Sequence, residues 1–169
     1  SHAYSYSIIS YQCAHLFAYY APEWVAAFLD KEPDSRKEKA IGKAKGLGFD
    51  ITNLNVNTSG RVWEISEDGK ALIPPLTSIK GLGDKAIDQV FVGRPYNNIE
   101  EFLFHPDVTY SKLNKKSVDV LVRSGTLNTL MDDRFTGLKH FWSAVAVDRP
   151  RKEKNLIENI EMYAPEGDF

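Results

Sequence analysis

The sequence predicts a mainly α-helical chain with one small β-hairpin. Three observations carry that reading. Apolar residues recur at steps of three and four over long stretches, as on one face of a helix. One segment alternates apolar and polar residues ahead of an Asp-Gly pair, as a hairpin does. Glycines then divide the following stretch into short helical pieces. With 169 residues, 43% of them hydrophobic, the chain is one ordinary domain or two small ones and can bury a core.

The first element reads as a helix. Tyr4, Ile8, Tyr11, His15 and Tyr19 form a stripe, which Ile9, Leu16 and Tyr20 widen. Ser1 to Pro22 carries no Asp, Glu, Lys or Arg, so this helix is expected to be buried on more than one side. Ser5, Ser7, Ser10, Gln12 and His15 interrupt the run, which therefore does not read as a membrane span. It also lacks the basic start of a signal peptide. Pro22 suits the first turn of a second helix, Glu23 to Leu29, which Pro33 ends. Ser35 is expected to cap a third helix that runs through Lys45 and stops at Gly46 or Gly48. The face made of Arg36, Lys37, Lys39 and Lys43 reads as solvated.

Gly60 to Ser66 alternates, Asp68-Gly69 turns, and Lys70 to Ile73 returns, which predicts the hairpin. Pro74-Pro75 ends it and is expected to act as a hinge. Short helices separated by glycine turns follow from Leu76 to about Leu130. Phe135 to Val147 predicts another helix, and the chain after Pro150 reads as a polar, acidic tail.

A single cysteine, Cys13, excludes an internal disulfide framework and a multi-cysteine zinc site. A reducing, cytoplasmic setting is the default for such usage. His15, His105 and His140 read as packing or surface histidines, so no metal site is expected. The net charge of -2 argues against a nucleic-acid binder only in bulk. Residues 1–75 balance at -1, 76–152 at +3 and 153–169 at -4, so an acidic tail masks a basic middle.

The sharpest motif lies in that basic middle, at Ile79-Lys80-Gly81-Leu82-Gly83-Asp84-Lys85-Ala86-Ile87. Two glycines allow a tight turn between helices and a close approach of backbone to a ligand. Leu82 between them would pin the turn into the core. The N–H groups of the turn and of the next helix start would then face outward, an arrangement that binds phosphate. This is the helix-hairpin-helix pattern, which grips the DNA backbone without reading sequence. Lys80 and Lys85 flank it as phosphate partners; a plain αα-turn with glycine caps is the bland alternative. A second half-motif follows. Leu113-Asn114-Lys115-Lys116 leads into an apolar helix that ends at Arg123-Ser124-Gly125. Lys112, Lys115, Lys116 and Arg123 against Asp119 make it basic, and it reads as the pseudo-symmetric partner of the first.

Taken in order, these segments resemble the C-family replicative DNA polymerases, the bacterial DNA polymerase III α subunits. Ser1-His2-Ala3-Tyr4-Ser5-Tyr6 is similar to the family's Lys-Ser-His-Ala-x-x-Tyr element, starting just after the lysine. Ser10-Tyr11-Gln12-Cys13-Ala14-His15-Leu16, and Tyr20-Ala21-Pro22-Glu23-Trp24-Val25-Ala26-Ala27-Phe28-Leu29, resemble the family's next two segments. Asn55-Val56-Asn57-Thr58-Ser59 resembles its Asp-Val-Asn-x-Ser. Thr126-Leu127-Asn128 and Asn55 depart from the family pattern and mark a divergent member, phage or otherwise atypical.

The resemblance implies a mainly α architecture: C-terminal fingers helices and the hairpin over 1–75, and a tandem helix-hairpin-helix domain over 76–147. A tail over 148–169 completes the chain. It implies incoming-nucleotide contacts at Ser1, His2 and Tyr6, and duplex binding at Lys80, Gly81, Leu82, Gly83, Asp84, Lys85, Lys115, Lys116, Arg123, Ser124 and Gly125. No catalytic residue is expected, because the family's palm aspartates lie upstream. Mg2+ and a deoxynucleoside triphosphate are therefore cofactors of the whole polymerase, and this chain alone is expected to be inactive. The implied partners are primer-template duplex, the palm, thumb and remaining fingers, and the sliding clamp; no membrane is implied. Asn159, Met162 and Tyr163 are similar to the family's clamp-binding peptide, with Asn159 standing for its glutamine. Ser1 is compatible with a splice junction, a split gene or a cut at that point. The alternative is a free-standing, non-catalytic helix-hairpin-helix module or scaffold.

Overall fold

The computed structural model describes residues 2–108 and 111–130. Ser1, the helix expected at Phe135 to Val147, and the tail with Asn159, Met162 and Tyr163 lie outside the described residues. The chain is mainly helical with one small sheet, as its sequence predicts. It divides into two compact units. Among the described residues, one holds 2–52 with Val62–Pro75, and the other holds Asn53–Arg61 with 76–108 and 111–130.

In the first unit the uncharged run forms α1 (His2–Tyr19), and here the expected burial fails. No residue of α1 is buried, and Tyr4, Tyr11 and Tyr19 are each 72% exposed. Burial needs neighbouring elements to cover a helix, and within this unit α1 meets the core only near its C-terminal end, where Phe17 packs with its ring edge-on to Trp24 at 5.5 Å.

Next comes α2 (Ala21–Lys31), with Pro22 in its first turn. Glu23 near the start and Lys31 at the end complement the helix dipole. Its buried face is Val25, Ala26 and Leu29. The third helix, α3 (Asp34–Gly46), begins before Ser35. Pro33 is its cap residue, so Ser35 lies within the first turn, exposed, and does not cap. A proline there lacks the N–H that a helix start would leave unpaired, which is why the helix begins beside it. Ala40 and Ala44, one turn apart, are buried; of the expected solvated face, Arg36, Lys39 and Lys43 are exposed and Lys37 is half-buried.

Three short strands close this unit. The expected hairpin pairs β2 (Glu64–Ile65) antiparallel with β3 (Ala71–Ile73), in the register Ile65 to Leu72. Its turn carries Gly69 at φ +70. Asp68 accepts hydrogen bonds from Ser66 Oγ at 2.5 Å and from Lys70 N at 3.0 Å, which hold its carboxyl below the usual range. A third strand, β1 (Asp50–Ile51), runs parallel to β3 and gives the order β1-β3-β2. The core gathers Val25, Leu29, Ala40, Ala44, Trp63 and Leu72. The backbone N–H of Trp63 donates to Asp30 Oδ1 at 2.9 Å, joining hairpin to α2.

The second unit is a cluster of short helices. A 3-10 turn at Leu76–Ser78 leads to α4 (Asp84–Val92), α5 (Ile99–Phe104) and α6 (Lys115–Arg123). Their apolar faces share one core with Leu76, Ile87, Tyr96, Phe102, Leu121 and Leu127 in it. The segment Asn53–Arg61 straps this core. Val56 is fully buried in it, and the Val56 N–H donates to Thr126 O at 2.9 Å.

Candidate nucleic-acid interface

The glycine turn forms as its sequence predicts. Gly81 adopts φ +90, a conformation that an L side chain resists. Leu82 turns inward, 9% exposed, and its N–H donates to Ile79 O at 3.2 Å. Gly83 then caps α4 in an extended conformation, and its carbonyl accepts from Ala86 N and Ile87 N at 2.9 and 3.1 Å. Among the described residues, the N–H groups of Gly81, Gly83, Asp84 and Lys85 have no backbone acceptor. Glycine at the cap supplies no side-chain oxygen to occupy them. Lys80 and Lys85 are exposed on either side. The result is a set of open amides at the positive end of a nine-residue helix, flanked by two ammonium groups.

The second half-motif repeats this local pattern. Leu82-Gly83-Asp84-Lys85-Ala86-Ile87-Asp88 corresponds to Leu113-Asn114-Lys115-Lys116-Ser117-Val118-Asp119. Leu113 is buried ahead of the cap as Leu82 is, and α6 has nine residues like α4. The repeat is visible in the sequence by simple superposition of the two segments. The caps differ chemically. Asn114 Oδ1 accepts from Ser117 N at 3.0 Å, so the second helix start is closed by its own side chain. Lys116 is exposed there and Lys115 half-buried.

Arg123, Ser124 and Gly125 stand at the opposite end of α6 from Lys115 and Lys116. Gly125 at φ +78 completes a Schellman cap, with Gly125 N to Val122 O at 3.1 Å and Thr126 N to Leu121 O at 3.2 Å. Ser124 Oγ donates to Leu121 O at 2.9 Å. Arg123 Nε lies 3.2 Å from Asp119 Oδ2. Burial raises the Asp119 carboxyl above the usual range, partly offset by that guanidinium. These three residues therefore form a helix C-terminus, and the amides of Ser124 and Gly125 are used internally, donating to Val120 O and Val122 O.

The hairpin turn and α6 are brought together: a Cβ placed on Gly81 would lie 3.7 Å from Val120 Cγ2. His2 and Tyr6 are neighbours one turn apart on α1, both exposed, with rings edge-on at 4.9 Å. Sequence reasoning missed one charged residue at the turn. Arg61 reaches Asp84 Oδ1 at 3.4 Å and pairs with Asp88 as well. No local pattern announces it, because strap and helix are distant in sequence. Among the described residues, no three His, Cys, Asp or Glu side chains gather as a metal site, and no helix is long and apolar enough to cross a membrane.

Comparison with known proteins places this geometry in context. Residues 48–152 match the family model described as the helix-hairpin-helix motif. The chain is 31% identical over 134 residues to the DNA polymerase III subunit alpha of Chlamydia muridarum, a match over 76% of this chain and 10% of that protein. It is 31% identical over 150 residues to that of Helicobacter pylori, covering 82% of this chain and 12% of the relative. It is 29% identical over 177 aligned positions to that of Borreliella burgdorferi, covering 98% and 15%. The chain thus spans between 10% and 15% of the length of these relatives.

Proposed function

The chain belongs to the helix-hairpin-helix motif family and is homologous along nearly all its length to DNA polymerase III alpha subunits, and we propose that it serves such a polymerase as the C-terminal fingers and duplex-holding region. The observation that carries the reading is the open amide set at Gly81, Gly83, Asp84 and Lys85, between exposed Lys80 and Lys85. Such a set takes a phosphate oxygen through fixed N–H donors and reads no base, which suits an enzyme that must hold any product sequence. Lys116, and Lys115 beside it, add positive charge at the second helix start. Arg123, Ser124 and Gly125 support the interface by ending α6.

In this reading Ser1, His2 and Tyr6 sit near the incoming nucleotide, where hydroxyl and imidazole donors meet its phosphates. Phosphoryl transfer belongs to the palm, with its Mg2+ ions and deoxynucleoside triphosphate. In this reading the chain's part is positioning. It acts in the cytoplasm with palm, thumb and remaining fingers, and does not extend primers by itself. The tail peptide at Asn159, Met162 and Tyr163 docks on the sliding clamp.

Lys80→Ala and Lys85→Ala test the grip. Each variant is expected to weaken binding to duplexes of any sequence and to lower the salt-dependence slope by about one. Fluorescence anisotropy across a salt series reads both quantities. Unchanged affinity and slope would remove the phosphate grip. For the tail, replacing Met162 and Tyr163 together with alanine is expected to abolish pull-down of the sliding clamp, and surviving pull-down removes that docking.

A further inference from the structure

Arg61 occupies a place that the phosphate grip alone does not explain. Its backbone is sewn to the turn that enters the hairpin. Leu76 N donates to Gly60 O, and Thr77 Oγ1 donates to Arg61 O, each at 2.8 Å. Its guanidinium meets the carboxylates of Asp84 and Asp88, one helical turn apart on α4. The Phe91 ring lies beneath it, with its centroid 5.7 Å from the guanidinium carbon.

Asp84 is the first residue of α4 and carries one of the open amides. Its carboxylate suits the helix dipole, yet a carboxylate at that spot repels the phosphate that the amides attract. Asp88 adds a second negative charge one turn along. Lys80 and Lys85 against Asp84 and Asp88 sum to zero. Arg61 makes the balance +1. It is also built for the task, because one planar guanidinium can serve two carboxylates at once. The two carboxylates are 83% and 60% exposed and Arg61 40%. Ion pairs so open to water contribute little to folding, so stability gives a weak reason for this arrangement.

We propose that Arg61 is a positioning residue of the backbone grip: it neutralises Asp84 and Asp88, and so leaves the hairpin turn net positive toward DNA phosphate. This deepens the duplex-binding reading and rests on it. Removing Arg61 exposes two carboxylates beside the phosphate path. Removing the carboxylates as well makes Arg61 dispensable. Electrostatic compensation of that kind differs from direct phosphate contact, where the loss of Arg61 would persist whatever stands at positions 84 and 88.

The test is duplex binding by the full chain over a salt series, with a double-stranded oligonucleotide of arbitrary sequence. Four proteins are compared with wild type: Arg61→Ala, Asp84→Asn with Asp88→Asn, the three substitutions combined, and Lys80→Ala with Lys85→Ala. Arg61→Ala is expected to weaken binding roughly fivefold at low salt. The double asparagine variant is expected to bind more tightly than wild type, and the triple variant to recover wild-type affinity or better. Thermal unfolding of Arg61→Ala is expected within about two degrees of wild type. A triple variant as weak as Arg61→Ala overturns the proposal, as does a double asparagine variant no tighter than wild type. If the lysine variant weakens binding and Arg61→Ala does not, the Arg61 role falls and the grip stands. If the lysine variant is also unchanged, the grip itself falls.

Discussion

Replacing Gly93 with alanine is expected to destabilise the second unit by about 3 kcal/mol. Gly93 has an ordinary backbone, φ -92, so the conformation itself would accept alanine. Space is the obstacle. A Cβ there would collide with the Tyr96 ring, at 2.7 Å from Cε1 and 2.8 Å from Cζ, with the hydroxyl oxygen closer still. Tyr96 cannot withdraw cheaply. It is 2% exposed, packs edge-on to Phe102 at 5.1 Å between centroids, and donates its hydroxyl to Val90 O at 2.9 Å. Burial pushes that hydroxyl above the usual tyrosine range, so it stays a protonated donor. Gly42→Ala is the control. Gly42 lies inside α3 with nothing near its absent Cβ, and alanine there is expected to stabilise by about 0.5 to 1 kcal/mol. Trp24 and Trp63 belong to the first unit, so their fluorescence reports on that unit. Hydrogen exchange at the Phe102 and Leu121 amides reads the second. Protection there unaltered by Gly93→Ala would contradict the steric account.

How much of this was legible depends on the range over which each feature is encoded. Gly81-Leu82-Gly83 could be read because its constraint is local: a positive φ, an inward leucine and an uncapped helix start all follow from adjacent residues. Asp68-Gly69 and Pro22 are local in the same sense. Ser35 misled because a serine before a helical run is a good cap, but Pro33 sets the start earlier. The strand β1 has two residues, too few to show any alternation, and exists only because β3 lies beside it. The helix α1 was legible as a helix, since periodicity is intrinsic to the segment. Its burial was not, since burial depends on what else is present to cover it. Arg61 was invisible for a related reason, because its carboxylate partners are set by the fold.

Asn57 shows how a residue can be conspicuous in sequence for a reason that only the fold explains, and its replacement should be costly in a diagnostic way. The Asn-Val-Asn-Thr-Ser segment stands out as a pattern, yet its second asparagine is a structural joint. Asn57 Nδ2 donates to Tyr96 O at 2.8 Å, and Tyr96 N donates to Asn57 Oδ1 at 2.9 Å. The side-chain amide thus pairs with a backbone residue as a neighbouring strand would. Asn57→Ala removes both bonds and leaves the N–H of a buried residue without its acceptor, for an expected loss of about 2 to 3 kcal/mol. Asn57→Asp is the sharper probe. The introduced carboxylate keeps the acceptor for Tyr96 N, but its other oxygen faces Tyr96 O where a donor stood. Two acceptors at hydrogen-bond distance repel, so at neutral pH this nearly isosteric change should cost at least as much as alanine. Protonation of the new carboxyl restores a donor. Its folded-state pKa is therefore raised, and stability returns as the pH falls through that value and is lost again as it rises. Exchange of the Val56 amide, which is bonded to Thr126 O, follows the strap directly. A penalty for Asn57→Asp that does not change with pH would show that the amide is not acting as a paired donor and acceptor.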